Sequence, residues 1–390
     1  MGGVTRLYIV RHAEAEGNIF RRAHGQYNGL LTENGLRQLG RLEEYFRDSP
    51  PDAVYSSDLY RAHRTALAVA ASAGLAVQTD PRLREIALGA WEEMPWGEIR
   101  RRFAKEYGDF SDRLADFSLD GAETAEQVGD RTEAAAREII ARHSGGSAAI
   151  VSHGMAIRIL TARLLGIGTR EIETLSLAHM DNASVTVLRA EDGVVKCEKY
   201  GGAEHLGKLS TFAKQSWWRT GELNRDTEIW FRPADLSRDV DEVVRRHRDI
   251  WQTIYATARG FEPDKCEEIV REMARSHPRG VQFAMCGGKS VGLLLLSLPK
   301  STPDAGHIAL FSLDKDYRGK GLGIQLLGEA ISFFRQCGRS ALKLNVWHKN
   351  ERALRFYHAN GFVKTGESDG LFGTAYIMRR PITPDMALES

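Results

Sequence analysis

Two apolar runs end in the same way, and that constrains the fold of the first half of the chain more than any other feature. Tyr8-Ile9-Val10 stops at Arg11-His12, and Ala148-Ala149-Ile150-Val151 stops at Ser152-His153-Gly154. Short continuous apolar runs bounded by polar residues read as buried strands. In open α/β sheets ligands sit in the crevice outside the carboxyl ends of the strands. The two histidines are therefore expected to meet in one site.

The surrounding sequence supplies the layers such a sheet needs. Helices are expected over residues 32–47, where Leu36, Leu39, Leu42 and Phe46 recur at helical spacing behind the cap Thr32, and over 59–73, 127–143 and 155–165. A short strand is expected at 53–56, mostly helical structure at 91–117, and a hairpin from 183–189 and 194–200. Alternating strands and helices argue for a layered α/β domain with a largely parallel sheet, occupying residues 1–205. Residues 206–228 are polar and poorly periodic and read as a connector, although Trp217-Trp218 is expected to pack against a domain rather than stand in water. From residue 229 to 382 the pattern changes. Helices at 239–258 and 265–276 lead to strands at 281–285, 290–298 and 307–312, then a helix at 323–336, a strand at 341–346, a helix at 351–360 and final strands at 362–366 and 375–379. Strands in succession before the later helices indicate a mixed α+β domain. The tail, 383–390 with fraying from 381, is expected to be loose.

A chain of 390 residues is too long for one ordinary core, which agrees with two domains. With 53 basic against 52 acidic residues there is no global field to draw it to nucleic acid or an anionic membrane. Cys197, Cys266, Cys286 and Cys337 are scattered, without a CxxC or Cys/His metal spacing, and read as reduced thiols. No leader pattern opens the chain, and its longest apolar run, near residues 291–296, is far short of the roughly 18 residues a membrane helix needs. A cytoplasmic location is the expectation, and nothing in the sequence sets an oligomeric state.

Four separated motifs carry the chemistry of the first half. Arg11-His12-Ala13-Glu14-Ala15-Glu16-Gly17-Asn18, Ser57-Asp58-Leu59-Tyr60-Arg61-Ala62, Leu83-Arg84-Glu85 and Ser152-His153-Gly154 occur in this order, with Arg22-Ala23-His24-Gly25 and Gly121-Ala122-Glu123-Thr124 followed by Arg131. The set resembles the histidine phosphatase family, the group related to cofactor-dependent phosphoglycerate mutases. The resemblance implies a three-layer α/β/α domain that hydrolyses a phosphomonoester with neither metal nor cofactor. It makes His12 the nucleophile that forms a phosphohistidine, and His153 the group that stabilises the transferring phosphoryl. Glu85 is then the acid for the leaving alkoxide, with Glu92 and Glu93 as nearby alternatives. Arg11 and Arg61 would grip the phosphate through planar, multidentate donors, unless Arg61 simply pairs with Asp58. Asn18 and Arg22 either contact phosphate or organise the loop. Ala13 and Ala15 stand where the family more often has Gly and Thr, and His24-Gly25 replaces Gln-Gly, a departure that weighs against mutase activity more than against phosphatase activity. Residues 91–120, the segment expected to choose the substrate, carry no readable signature.

The second half holds a Gly-rich turn, Arg318-Gly319-Lys320-Gly321-Leu322-Gly323, between an expected strand and an expected helix. Successive backbone N–H groups at such a turn, backed by a positive helix end, form an anion cradle. It is not a dinucleotide fingerprint, because Ile324 stands at the third glycine position. Gly288-Lys289-Ser290 lacks the earlier glycine of a P-loop and reads as a hairpin turn. The turn, followed by Asn350-Glu351-Arg352-Ala353-Leu354-Arg355-Phe356-Tyr357 and Asn360-Gly361-Phe362, resembles the GCN5-related N-acetyltransferases (GNAT). That resemblance implies that amides of residues 318–323 hold the pyrophosphate of acetyl-CoA, that Leu313 borders its pantetheine arm and that Asn350 binds the arm. Tyr357 would protonate the departing thiolate, or be core on an amphipathic helix. The base for the acceptor amine has no clear candidate beyond His307 or water.

Together these readings describe a bifunctional enzyme acting on a small phosphomonoester and a small amine, and one phosphorylated amine would suit both sites. The alternatives are a phosphoglycerate-mutase-like phosphotransferase, and a phosphatase regulated by a non-catalytic, acyl-CoA-sensing second domain.

Overall fold

The computed structural model describes residues 3–172, 179–214 and 227–384. The expected packing of Trp217-Trp218 and the end of the tail lie outside the described residues. Contacts group the chain into two compact units, one of Met1–Met94 with Ile99–Leu223, the other of Pro95–Glu98 with Asn224–Ser390.

Along the first half run β1 (Thr5–Arg11), α1 (Glu16–Phe20), α2 (Glu33–Arg47), β2 (Val54–Ser56), α3 (Tyr60–Ala71), β3 (Val77–Thr79), α4 (Trp96–Arg102), α5 (Ala104–Asp112), α6 (Ala125–Arg142), β4 (Ser147–Ser152), α7 (Gly154–Leu164), β5 (Val185–Glu191), β6 (Val194–Gly202) and α8 (Thr211–Lys214). The strands form one sheet in the order β3-β2-β4-β1-β5-β6. Its first four strands are parallel and the β5–β6 hairpin is antiparallel, so the sheet is largely parallel as expected.

The alternation of β1 sets the layers. Tyr8 and Val10 pack with Leu42 and Phe46 of α2 and with Ala62 and Val69 of α3. Leu7 and Ile9 point the other way, onto Ala135 and Ile139 of α6 and Ile157 and Leu160 of α7. Each such side chain stabilises the unit by about 1.5–3 kcal/mol, and the result is a three-layer α/β/α fold. Caps fix the helix starts. The Thr32 hydroxyl accepts from Gly35 N–H at 2.9 Å. A reciprocal Thr124–Gln127 box starts α6 earlier than its apolar periodicity indicates.

The first unit does not end at residue 205. Leu206 and Thr211 are buried. The Thr211 hydroxyl donates to Glu14 Oε2 at 2.7 Å, and Gln38 Nε2 donates to Leu209 O at 2.8 Å. A buried carboxylate, Glu14, also accepts from Thr32 Oγ1 at 2.6 Å and Asn34 Nδ2 at 3.0 Å. The polar composition of this stretch, which suggests a connector, reflects donors spent inside the fold.

The second unit contains β7 (Trp230–Pro233), α9 (Val240–Tyr255), α10 (Pro263–Ser276), β8 (Val281–Cys286), β9 (Lys289–Ser297), β10 (Ala305–Leu313), α11 (Gly323–Gln336), β11 (Ala341–Trp347), α12 (Glu351–Ala359), β12 (Val363–Gly370) and β13 (Gly373–Pro381). The sheet order is β12-β13-β11-β10-β9-β8-β7. Only β10 and β11 run parallel, giving the expected α+β class. Their pairing runs from Ala305↔Ala341 to Ile308↔Leu344 and stops, while both strands continue. On one face Val243 of α9 and Val270 and Met273 of α10 cover Phe283, Leu293 and Leu295. On the other Leu326 of α11 packs with Ala284, Val291 and Leu313. Gly287 and Gly288, both at positive φ, make the β8–β9 hairpin turn. The expected fraying from residue 381 does not occur there: Pro381 pairs with Ala341, and the buried Ile382 donates its N–H to Ser340 O at 2.8 Å.

Thr211→Val should lower unfolding stability by about 1–2 kcal/mol, because one buried acceptor of Glu14 loses its donor. Urea denaturation followed by far-UV circular dichroism measures this; a change under about 0.5 kcal/mol would return residues 204–214 to the role of connector.

Candidate functional site

Parallel pairing of β1 with β4 places Arg11 opposite Ser152. The His12 N–H donates to Ser152 O at 2.9 Å, so the next residue of each strand leaves the sheet at the same point. The His12 and His153 rings lie 5.1 Å apart, centroid to centroid. Ser57, beyond β2, continues the row: its N–H donates to Val151 O at 2.9 Å, and its hydroxyl lies 2.9 Å from His153 Nε2. The expected meeting of the two histidines is thus a consequence of sheet register.

His12 Nδ1 lies 2.7 Å from Ala13 O, an acceptor only. Nδ1 therefore carries the proton, and Nε2 keeps the lone pair a nucleophile needs. Asn182 Nδ2 donates to His12 O at 3.1 Å, fixing the residue from the other side. Arg61 is wholly buried at the start of α3 and donates through Nη1 to Tyr27 O at 3.0 Å and through Nη2 to Gly25 O at 2.6 Å. Arg11 donates to Met180 O, and its guanidinium lies so close to Gly154 that a Cβ there would meet Arg11 Nε at 3.3 Å. Arg11 Nε, Arg61 Nε and His153 Nδ1 are buried with no hydrogen-bond partner among the described residues. Orphaned buried polar groups each cost roughly 1–3 kcal/mol. Three of them beside His12 make a cradle for an anion.

The electrostatics agree. Burial, then the charges of Arg61 and Arg11, hold His12 well below the ordinary imidazole range. Burial and Arg61 do the same to His153. Both rings are neutral at pH 7, and a phosphate dianion would supply the opposite sign and favour protonation of His153. Burial pushes Arg61 down to about 10, opposed by the nearby Glu85 charge, so it remains a cation.

Glu85 reaches the same place from the loop between β3 and α4. Its carboxylate accepts from Ala156 N–H at 2.9 Å and Met155 N–H at 3.2 Å, and from its neighbour Ile86 N–H at 3.0 Å. Arg131, ion-paired to Glu123 at 2.7 Å, fastens this loop by donating to Arg84 O at 2.7 Å and Glu85 O at 3.0 Å. Glu92, the alternative acid, is committed to backbone, accepting from Gln26 N–H at 2.8 Å and Leu88 N–H at 3.2 Å. Glu93 lies at positive φ, and its carbonyl accepts from Arg22 Nε. Asp58 pairs with Arg84 rather than with Arg61. Asn18 Oδ1 accepts from Ala15 N–H at 2.9 Å and Asn182 Nδ2 at 3.1 Å. Asn18 and Arg22 thus organise the loop in this structure. No local pattern marks Asn182, whereas Ser57 and His24 belong to the Ser57–Ala62 and Arg22–Gly25 motifs; the His24 ring lies 6.4 Å from His12 and stacks on Tyr27 at 4.2 Å.

The second unit holds a cleft of about 710 Å³ where β10 and β11 part. Leu313, Arg318, Gly319, Gly321, Leu322 and Gly323 line one side. Gly319 and Gly321 adopt positive φ, as a tight anion-binding turn at a helix start requires. Arg318 Nε donates to Leu313 O, tying the turn to the end of β10. These residues fit the diphosphate of acetyl-CoA. Tyr357 lines the cleft opposite and burial pushes its phenol up, so it is protonated at neutral pH. Asn350 also lines the cleft, but its side-chain oxygen caps α12 by accepting from Ala353 N–H at 3.2 Å. Lys320 contributes backbone; its ammonium lies 5.8 Å from the Tyr317 ring. His307 is not part of this site. It lies six residues before Leu313, about 20 Å along a strand, at the closed end of the β10–β11 pair, and burial holds it at about 4.

A model of the histidine phosphatase superfamily (branch 1) matches residues 7–202, and one of the acetyltransferase (GNAT) family matches residues 245–362. The chain is 33% identical over 176 residues to the "Probable phosphoglycerate mutase GpmB" of Yersinia pestis, spanning 45% of this chain and 82% of that protein. Among solved structures, Bacillus stearothermophilus YhfR is similar with a TM-score of 0.50 and 30% identity, covering 52% of this chain and 99% of that one.

The lowered imidazoles set a pH dependence of stability. Between their folded values and the unfolded value of about 6.5, the unfolded chain binds protons that the native state does not, so stability rises with pH and is lost as pH falls below about 6.5. His153→Gln should reduce this loss by up to about 1.4 kcal/mol per pH unit. Denaturant titrations across that window measure it, and identical slopes for both proteins would contradict a neutral, buried His153.

Proposed function

The chain belongs to the histidine phosphatase superfamily and carries a GNAT acetyltransferase domain behind it, so it is a phosphatase and an N-acetyltransferase; from that premise we propose how each unit works. In the first unit His12 Nε2 attacks the phosphorus of a small phosphomonoester. The N–P bond forms as the P–O bond to the leaving alkoxide breaks, and Glu85 supplies the proton that alkoxide takes. Arg11, Arg61 and His153 hold the three equatorial oxygens, where charge spreads during transfer. Water activated by Glu85 then attacks the phosphohistidine, releasing phosphate and restoring His12. The observation that carries this reading is the set of three orphaned buried nitrogens, of Arg11, Arg61 and His153, beside a histidine whose Nε2 keeps its lone pair. For Glu85 to act as an acid, one oxygen must turn from the amides at the start of α7 when substrate enters.

In the second unit acetyl-CoA supplies the acetyl group as an activated thioester. The turn at residues 318–323 binds and orients its diphosphate, Leu313 lines the approach, and the Tyr357 hydroxyl donates a proton to the departing thiolate. With His307 remote, the amine loses its proton to water. The four cysteines are free thiols, which fits the reducing, cytoplasmic setting we assign to the enzyme.

The likeness to proteins named phosphoglycerate mutases favours a second reading, transfer of the phosphoryl group from His12 to an organic acceptor. Heavy-oxygen water separates the two: hydrolysis puts one label into every released phosphate, and transfer puts none into the product.

His12→Ala should lower phosphate release by more than about 1000-fold. Glu85→Gln should lower it by roughly 100- to 10,000-fold for alkyl esters; with p-nitrophenyl phosphate, whose leaving group needs no proton, it should spare the first-turnover release of p-nitrophenol while still slowing phosphate release. Steady-state phosphate release measures both; full activity in His12→Ala would overturn the reading.

A further inference from the structure

The cleft of the second unit passes through its sheet. Ile250, Thr253 and Ile254 belong to α9, on the face with Leu293 and Leu295, whereas Gly323 and Phe356 belong to the α11–α12 side; all line one cavity. The gap that permits this lies between β10 and β11, beyond Ile308↔Leu344. The anion-binding turn and Tyr357 stand on the α11–α12 side. A second reactant therefore meets the thioester from the α9 side.

Next to the cavity-lining Ile254, and just before the cavity-lining Lys349, stands a cluster of aromatic rings that do not themselves line the cavity. Tyr255, the last residue of α9, stacks on Phe372 at 4.5 Å and meets Trp347, the last residue of β11, at 5.3 Å. Trp251, one turn earlier, touches Tyr255 at 4.9 Å and Phe372 at 6.0 Å. Both indole N–H groups are spent on backbone, Trp347 on Phe372 O at 3.0 Å and Trp251 on Arg259 O at 3.3 Å, so the indoles offer faces rather than donors. The four rings are only half-buried, unlike core rings such as Phe283 and Phe334, and Leu371 beside them is 67% exposed.

Resting on the reading that this unit transfers acetyl, we infer that its acceptor is a small primary amine bearing an aromatic or bulky apolar group, seated on Tyr255, Trp347 and Trp251. A ring laid on these faces removes apolar area from water on both partners. A phosphorylated amine gains nothing from them. The two units then act on different molecules, in place of the single phosphorylated amine that the sequence makes attractive.

The test uses the full-length protein and acetyl-CoA, with thiol release measured for 2-phenylethylamine, tryptamine and glucosamine 6-phosphate. The arylalkylamines should exceed the sugar phosphate in kcat/KM by at least about tenfold. Tyr255→Ala should raise the amine KM roughly tenfold with kcat and the acetyl-CoA KM little changed, and Tyr255→Phe should restore it. Preference for the sugar phosphate, or Tyr255→Ala acting equally on all amines, overturns this inference and leaves acetyl transfer standing. Acetyl-CoA binding by calorimetry with no amine acetylated overturns both.

Discussion

The backbone ladder between β1 and β4 is the constraint on which the phosphatase site depends. Parallel strands in register end together, so one hydrogen bond, His12 N–H to Ser152 O at 2.9 Å, delivers two imidazoles to the same crevice. A shift of one residue would turn each strand's inward side chains outward and separate the histidines. Leu7 and Ile9 on one face, with Tyr8 and Val10 on the other, hold that register through burial. Stability of the fold and geometry of the chemistry are here the same interaction.

Charge completes what register begins. Arg11 and Arg61 are cations kept from water, and burial, then the positive potential they create, holds His12 unprotonated. That field opposes the folded state and favours an anion, which is the preorganisation expected of a site that stabilises a transferring phosphoryl group. Its cost is offset in the shell around it. Glu14, close in the chain to Arg11 and His12, is buried among Thr32, Asn34 and Thr211, and Asp181 accepts from Asn182 N–H at 2.8 Å, beside the amide that holds His12 O. Residues 204–214 thus support the reactive loop from outside the sheet.

Much of this was legible in the sequence. Apolar runs ending in histidine located β1, β4 and the meeting of His12 with His153; helical spacing located α2, α3 and α6; the Gly-rich turn located Gly319 and Gly321 on the wall of the cleft. What escaped has a physical cause. Residues 206–214, the described start of the expected connector, look like a linker because their polar side chains bond inside the fold, and composition cannot tell a spent donor from a solvated one. Asn182 acts through a contact with His12 across the whole unit, which no local pattern encodes. His307 stands near the start of β10, whose far end lines the cleft, and six residues of strand rise separate the two. The aromatic wall draws on α9, β11 and the β12–β13 turn, elements that only the fold brings together.

The central claim is that His12 carries the phosphoryl group on Nε2. Rapid quenching into alkali during turnover of a phosphomonoester, followed by peptide mapping, tests it directly. An acid-labile, alkali-stable phosphoramidate is expected on the peptide containing His12, forming and decaying at the rate of phosphate release. An adduct on any other residue, or no His12 adduct in Glu85→Gln turning over p-nitrophenyl phosphate, where formation needs no proton and water attack is slowed, would contradict it.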